Sequence, residues 1–384
     1  MGIIIEDNMS ISINDKMRNN IEDKMSYNNE DKIEIFPCGL INFSRITQKV
    51  KKKYYNKYSN LYNVCYINST IQCLFRLDEF VKNILKCDKG NLTIATQSLI
   101  YKMQNIDKIK DYCSVSEIKY AMGEYEEIYK NDNQEDVNVF ISDYLNYLIE
   151  ETKYSKINGK INWFCLEKDK EYFNKFYNNY IKRKGNSFIL DLFYGITRRE
   201  EKCKKCNYTF SVKFNPFNML ELLIDEEENN EQYKESIDMR DLIRNYISEK
   251  VNEEEICNKC KINTVIKTTI NSLPKCLIIF FNRDYSKNKH NKIEIQKTIN
   301  FEKFVYNKSL IKDNNFFYHL KGIIYYSNFS DKSGHYKSAC LVNNEKWYYF
   351  DDRKCEIDRG LLKISETENP VFLFYEKEIK YFFH

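Results

Sequence analysis

Histidine is scarce in this chain. Four residues among 384, His290, His319, His335 and His384, are the only ones that histidine chemistry can use. None belongs to an H-E-x-x-H pair, which removes the zincin class of metallohydrolase. Long apolar runs are missing too: a stretch such as Cys276 to Phe281 (CLIIFF) falls far short of the ~18 residues a membrane-spanning helix needs. An excess of one charge is also lacking, since 60 basic and 56 acidic side chains leave +4 at pH 7. That balance offers no focused basic face for phosphate binding, so a nucleic-acid partner is not expected. The start, MGIIIEDNMS, turns acidic at once without a basic region and is not expected to act as a secretory signal. Glu6 stands where a myristoylation pattern carries Ser or Thr.

Apolar material, by contrast, is ample. Hydrophobic residues make up 42 % and aromatic residues 15 % of the chain, enough for a sizeable core and against wholesale disorder. At about 150 residues per domain, the length predicts two or three packed units. Thirteen cysteines, an odd number, without a secretory signal, point to a reducing compartment, cytoplasmic or nuclear, and away from a disulfide framework. Clustered cysteines in that setting are metal ligands or nucleophiles. Residues 1–35 mix acidic, Asn-rich and Met-rich stretches with no apolar period and are expected to form a flexible leader. The basic run Lys49 to Lys57 (KVKKKYYNK) reads as a solvated face rather than a nucleic-acid or import signal.

From Val64 onward the pattern turns helical, with Ile67, Ile71, Leu74 and Phe75 at spacings of three and four. A second helical block runs from Val137 to Leu148. After Phe193 the texture changes to short β-branched and aromatic runs: Tyr208 to Phe214, Cys276 to Phe281, Leu320 to Tyr326, His335 to Val342, Trp347 to Phe350 and Val371 to Tyr375. These read as strands of a largely antiparallel sheet. Helices first and strands later predict an α+β fold with a cleft between the halves.

Cys203-Lys-Lys-Cys206 and Cys257-Asn-Lys-Cys260 are both C-x2-C, with fifty residues between the pairs. Each pair offers two thiolates from one turn, half of a tetrahedral S4 shell. Together they predict one structural zinc site with no open position. A closed site of this kind performs no chemistry; it contributes folding energy, roughly 10–16 kcal/mol in small zinc peptides.

Cys65 stands just before the first helical pattern, at a loop-to-helix boundary where unpaired N–H groups and the helix dipole favour a thiolate. The local sequence equally fits a small buried hydrophobe, like Cys73 inside the same helix. Asn60, five residues earlier, is placed to aim an amide at a developing oxyanion. At the other end, Ser333-Gly-His-Tyr puts His335 at the start of a strand, and Lys346 to Asp352 makes the next strand, ending in two acids. Paired antiparallel, these strands bring Asp351 or Asp352 beside His335. A cysteine, a histidine and a carboxylate able to converge form the set a thiol acyl-transfer enzyme needs.

These segments resemble a known family. NLYNVCYINSTIQCL, from Asn60, is similar to the cysteine box of the ubiquitin-specific proteases, N-L-G-N-T-C-Y-M-N-S-x-L-Q-C-L. SGHYKSACLVNNEKWYYFDD, from Ser333, resembles their histidine box, G-H-Y followed by W-x-x-F-D-D. Gln134 to Phe140 looks like the intervening Q-x-D-A-x-E-F box. Phe193-Tyr-Gly195 before the first C-x2-C, Leu273-Pro274 before CLIIFFNR, and the closing VFLFYEK match in order. The resemblance implies a papain-like hand: a helical thumb (about 57–190), zinc-ribbon fingers (about 195–270, with part of the palm) and an antiparallel β palm (about 271–384). It makes residues 36–384 one catalytic domain, acting as a monomer on bonds after the Gly-Gly tail of ubiquitin. It assigns Cys65 as nucleophile, His335 as general base, Asp351 as third member, Asp352 as a neighbouring acid and Asn60 to the oxyanion hole. Gln134 and Asp136 match the box that shapes the cleft around the tail, and Cys203, Cys206, Cys257 and Cys260 match the zinc ligands. Three positions depart from the family: Tyr62 for glycine, Val64 for threonine and Val139 for glutamate. They keep two alternatives in view, a catalytically weak or inactive ubiquitin-binding module and a hydrolase for a ubiquitin-like modifier.

Overall fold

The structure, a computed structural model, describes residues 34–42, 61–105, 112–154, 163, 165–224, 236–283, 292–306, 315–330, 333–358 and 369–378. Most of the leader, the basic run Lys49 to Lys57, and Asn60, His290 and His384 lie outside the described residues. The first half is helical: α1 (Cys65–Leu74), α2 (Asp78–Ile84), α3 (Asn91–Gln104), α4 (Ser116–Tyr125), α5 (Val137–Glu151), α6 (Lys170–Lys184) and α7 (Phe188–Phe193). A short parallel pair, β1 (Gly39–Leu40) and β2 (Tyr112–Cys113), ties the chain before α1 to the helices. The second half holds β3 (Gly195–Lys202), β4 (Thr209–Phe217), β5 (Leu220–Leu223), β6 (Ser236–Asp238), β7 (Glu249–Ile256), β8 (Asn263–Ser272) and β9 (Cys276–Asn282). It continues through β10 (Lys292–Glu294), β11 (Thr298–Asn300), β12 (Phe317–Ser330), β13 (Ser333–Val342), β14 (Lys346–Asp351), β15 (Lys354–Ile357) and β16 (Asn369–Lys377). Among the described residues the α-helix α8 (Met239–Tyr246) breaks the run of strands. Asp238 caps it, its carboxylate accepting the Arg240 N–H at 2.8 Å.

Two larger sheets organise the described residues of this half, beside the short parallel pair β6–β10. The palm sheet runs β15-β14-β13-β12-β16-β9-β5 with β11 added on β12, antiparallel except for the β5–β9 pair. The four-stranded antiparallel sheet β4-β3-β8-β7 stands apart from it. The strand reading of the sequence missed β3, β8 and β7 of this second sheet; β7, EKVNEEEI, is exposed along its length and shows no apolar face.

The apolar strands carry two cores, one on each palm face. Because side chains alternate along a strand, Cys276, Ile278, Phe372 and Phe374 join the core shared with the thumb helices, while Leu277, Ile279, Leu373 and Tyr375 join the core around α8 and β5. That double burial is why CLIIFF and VFLFY read as continuous apolar runs. Each fully buried Leu, Ile or Phe contributes about 1.5–3 kcal/mol.

Helix α1 is not the half-exposed amphipathic helix that its apolar spacing suggests. All ten of its residues are buried, the polar ones included. Its apolar side packs in the core; Asn68 and Gln72 face the segment 34–42. Ile35, placed in the leader by the sequence, is itself a buried core residue.

Burial of so many thiols has a measurable consequence. It pushes the Cys65 and Cys355 thiols up to about 12 and those of Cys73 and Cys276 well above the ordinary value. A group whose folded pKa is raised stabilises the fold fully below its unfolded pKa, near 8.5 for a thiol, and loses that contribution as pH rises toward the folded value. Urea unfolding is therefore expected to give constant stability to about pH 8 and a fall above it, roughly 2 kcal/mol per buried thiol by about pH 10. Equal stability at these two pH values would show that the thiols ionise without unfolding.

Candidate active site

Cys65 opens α1. Val64 before it carries no side-chain acceptor, so no cap takes up the first backbone N–H groups of the helix. The N–H groups of Cys65 and Tyr66 engage the sulfur, joined from the palm by the N–H of Tyr336 on β13. Tyr336 follows His335, so the strand carrying the imidazole also touches the sulfur. Burial pushes this thiol up to about 12, the charge of Asp352 adds to the push, and the three N–H groups pull the other way. At neutral pH the resting sulfur is therefore protonated, and its activation needs a base.

The hairpin β13–β14 supplies that base with its partner. Ser338 lies opposite Phe350, so Asp351 falls opposite Lys337 and, by the period of two, on the same face as His335. The imidazole Nε2–H donates to Asp351 Oδ1 at 2.7 Å. Asp352 is next in line, with Oδ2 3.8 Å from Nε2. It sits in the turn to β15 with φ of 52°, a conformation that Asp tolerates better than most residues. Its carboxylate is buried and accepts Asn68 Nδ2 at 2.9 Å on Oδ1 and Asn42 Nδ2 at 3.1 Å on Oδ2.

The middle box falls beside this hairpin. Gln134 Oε1 accepts the Gly334 N–H at 3.3 Å, tying the loop before α5 to the residue preceding His335. Asp136 caps α5, accepting the Asn138 N–H at 2.6 Å. Val139 is 45 % exposed on that helix. Tyr62 is half-buried against the thumb core. His319, the other described histidine, lies on β12 with Thr298 and Glu378 as neighbours. Sequence reasoning passed over Asn42 and Asn68. Asn68 carried a signal, since Asn68, Gln72 and Arg76 form a polar row at spacings of four along the helix, and Asn42 carried none.

The four paired cysteines meet at the tip of the second sheet. The sulfurs of Cys203, Cys206, Cys257 and Cys260 lie within 4.8 Å of one another, with Cys206 and Cys257 3.8 Å apart. Tetrahedral zinc with Zn–S bonds near 2.3 Å puts its sulfurs about 3.8 Å apart, so the cluster fits zinc. The two turns are built alike. Cys203 O accepts the Asn207 N–H and Cys257 O accepts the Lys261 N–H, both at 2.8 Å. Asn207 and Lys261 both take positive φ, 57° and 55°. The N–H groups of Cys206 and Lys205 pull the Cys203 thiol down, while burial and the neighbouring sulfurs push that of Cys260 up.

A cysteine at a helix start, a histidine–aspartate pair on the facing sheet and a four-cysteine ribbon beyond it define the class of fold: papain-like, of the thumb, palm and fingers type. The family profile described as ubiquitin carboxyl-terminal hydrolase matches residues 56–375. The chain belongs to the ubiquitin carboxyl-terminal hydrolase family, with the fold of its ubiquitin-specific proteases. Similar proteins include ubiquitin carboxyl-terminal hydrolase Usp2 of Drosophila melanogaster, 25 % identical over 348 residues covering 83 % of this chain and 34 % of that protein. Ubiquitin carboxyl-terminal hydrolase 2 of Homo sapiens is 25 % identical over 341 residues, 83 % of this chain and 54 % of that one. The chain thus spans between a third and about half the length of these relatives. Among solved structures, the SAGA DUB module of Ubp8, Sgf11, Sus1 and Sgf73 bound to monoubiquitin superposes with a TM-score of 0.60. It is 14 % identical, and the match covers 96 % of this chain and 76 % of that one.

Proposed function

We propose that this chain is a thiol-dependent deubiquitinase that hydrolyses isopeptide or peptide bonds after the C-terminal Gly-Gly of ubiquitin. The observation that carries the reading is the meeting of Cys65, at an uncapped helix start, with the strand of His335, whose ring is held by Asp351 at 2.7 Å. With Nε2 bonded to Asp351, Nδ1 takes the proton of the Cys65 thiol as the sulfur attacks the scissile carbonyl. Asp351 fixes the tautomer and stabilises the imidazolium. The oxyanion is met by N–H groups at the start of α1 and, on the family resemblance, by the amide of Asn60; one such donor is worth about 2.7–4 kcal/mol of barrier. His335 then protonates the leaving amine, and water attacks the thioester by the same route. Gln134 holds the strand of His335, and with Asp136 it shapes the channel for the tail. A narrow channel selects glycine because any side chain would clash.

One zinc ion on Cys203, Cys206, Cys257 and Cys260 would hold the fingers together without taking part in the chemistry. The Ubp8 module is bound to monoubiquitin, which supports ubiquitin as the partner here. A monomer in a reducing compartment, cytoplasmic or nuclear, suits thirteen free thiols.

A second reading, a ubiquitin-binding module with little or no turnover, has one observation in its favour: the Cys65 thiol pushed up to about 12. A ubiquitin probe ending in a thiol-reactive group separates the two. The enzyme reading expects a covalent adduct on Cys65 and none on a Cys65→Ala chain. Saturable binding without an adduct favours the second reading, and an adduct formed only with a ubiquitin-like probe redirects the substrate.

A further inference from the structure

The segment 34–42 lies upstream of the residues that match the family, 56–375, yet it runs through the inside of the molecule. Cys38 and Leu40 have no exposed surface, and Ile35, Ile41 and Asn42 are buried with them. A polar row on and after α1 holds its backbone. Arg76 Nη1 donates to Ile35 O at 2.7 Å, Gln72 Nε2 to Cys38 O at 2.6 Å, and Asn68 Nδ2 lies 3.4 Å from both Leu40 O and Ile41 O. Partners thus rise along the segment as they fall along the helix, so the strap lies antiparallel to α1 and delivers its end to the helix start.

That end closes on the acidic turn. The Leu40 N–H donates to Asp352 O at 2.8 Å. Gly39 approaches so closely that a Cβ there would lie 1.9 Å from Arg353 O. Asn42 Nδ2 reaches Asp352 Oδ2, the same oxygen that lies 3.8 Å from His335 Nε2. We propose that residues 34–42 form a positioning strap of the active site, in which Asn42, together with Asn68, holds Asp352 back from His335 so that Asp351 keeps the imidazole.

The reason is competition. Two carboxylates stand within 4.8 Å of one ring nitrogen, and a buried carboxylate without donors seeks the nearest one. The amides of Asn42 and Asn68 give each oxygen of Asp352 another donor. The titratable groups facing Asp352 are Cys65 from α1, His335 from β13 and Asp351 from β14. Freed from the strap, Asp352 would take Nε2, turn the ring and bring its charge closer to the sulfur. This proposal rests on the reading of Cys65 and His335 as nucleophile and base.

The test uses the full chain with Asn42→Ala, Asn42→Asp and Gly39→Ala. Asn42→Ala is expected to lower kcat on a fluorogenic ubiquitin amide roughly tenfold or more, with the Kd for ubiquitin unchanged. In Asn42→Asp the introduced carboxyl donates to Asp352 while protonated and repels it once ionised. Its kcat relative to Asn42→Ala is therefore expected to rise about fivefold as pH falls from about 8 to about 5.5. Should these variants not fold, Gly39→Ala, which pushes the strap off Arg353, is expected to show the same loss of kcat at constant Kd. An unchanged kcat in Asn42→Ala, or parallel losses in both Asn42 variants at every pH, overturns the proposal. If the unaltered chain cleaves no ubiquitin amide, the function reading fails separately. The strap is then read from the rate of Cys65 alkylation by iodoacetamide, which Asn42→Ala must change by about threefold for the proposal to stand.

Discussion

Replacing Cys65 with alanine is expected to abolish turnover of a fluorogenic ubiquitin amide, a loss on the order of 10⁶-fold if nucleophile and base act as a unit. Ubiquitin binding by the same variant is expected to be retained or tightened. The sulfur is buried beside the charge of Asp352, and the thiol is pushed up to about 12 by burial first and that charge second. Alanine removes the nucleophilic sulfur while leaving Asn68, Asp352 and the strap in contact. Turnover assays and fluorescence-polarisation binding, run side by side, separate chemistry from recognition. Residual cleavage above about one part in 10⁴ would mean that a second group supplies the nucleophile.

Removing the zinc proposed for the four cysteines, or replacing Cys257 with serine, is expected to unravel the tip of the β4-β3-β8-β7 sheet and leave the palm folded. The sheet has little core of its own. β7 is exposed along its length, and β4 buries only Phe214 fully, near its root. Metal binding in small zinc peptides supplies roughly 10–16 kcal/mol of folding free energy, far more than these few apolar contacts. The expected signature is loss of amide-exchange protection in residues 200–212 and 249–266 with protection kept in β9, β12 and β16. Ubiquitin affinity should fall by about tenfold or more, about 1.4 kcal/mol per decade, while alkylation of Cys65 by a small haloacetamide proceeds as before. Full protection at the tip after chelation would remove the structural role assigned to the metal.

The two experiments act on regions that the sequence disclosed unequally. The β-rich half was legible where strands buried on both faces are made of apolar residues, as in CLIIFF and VFLFY, and not where the buried residues are polar, as in Thr269, Asn271 and Ser272 of β8. It was illegible in β7, where the pairing with β8 is made by backbone groups and the side chains face water. Within α1 the apolar spacing found the helix and misjudged its environment, because periodicity reports which face is apolar and is silent on what covers the other face. Here that cover is the backbone of residues 34–42. The same blindness hid Asn42 and Asn68, whose partner, Asp352, lies more than 280 positions away. Gln134 was legible as part of a box, but its hold on Gly334, two hundred positions on, was not.

By itself the sequence determined the chemistry on offer: a cysteine at a helix start, one histidine on a strand leading to two acids, and two C-x2-C pairs. These are local properties, set by residue type and spacing along the chain. Tertiary structure alone decided that Asp351 takes the imidazole while Asp352 is turned to the amides of Asn42 and Asn68. It also decided that burial and the charge of Asp352 outweigh the helix start at Cys65 and push its thiol up. The physical reason is that hydrogen-bond competition and desolvation depend on which groups meet in space, and those groups come from four separate elements of the chain.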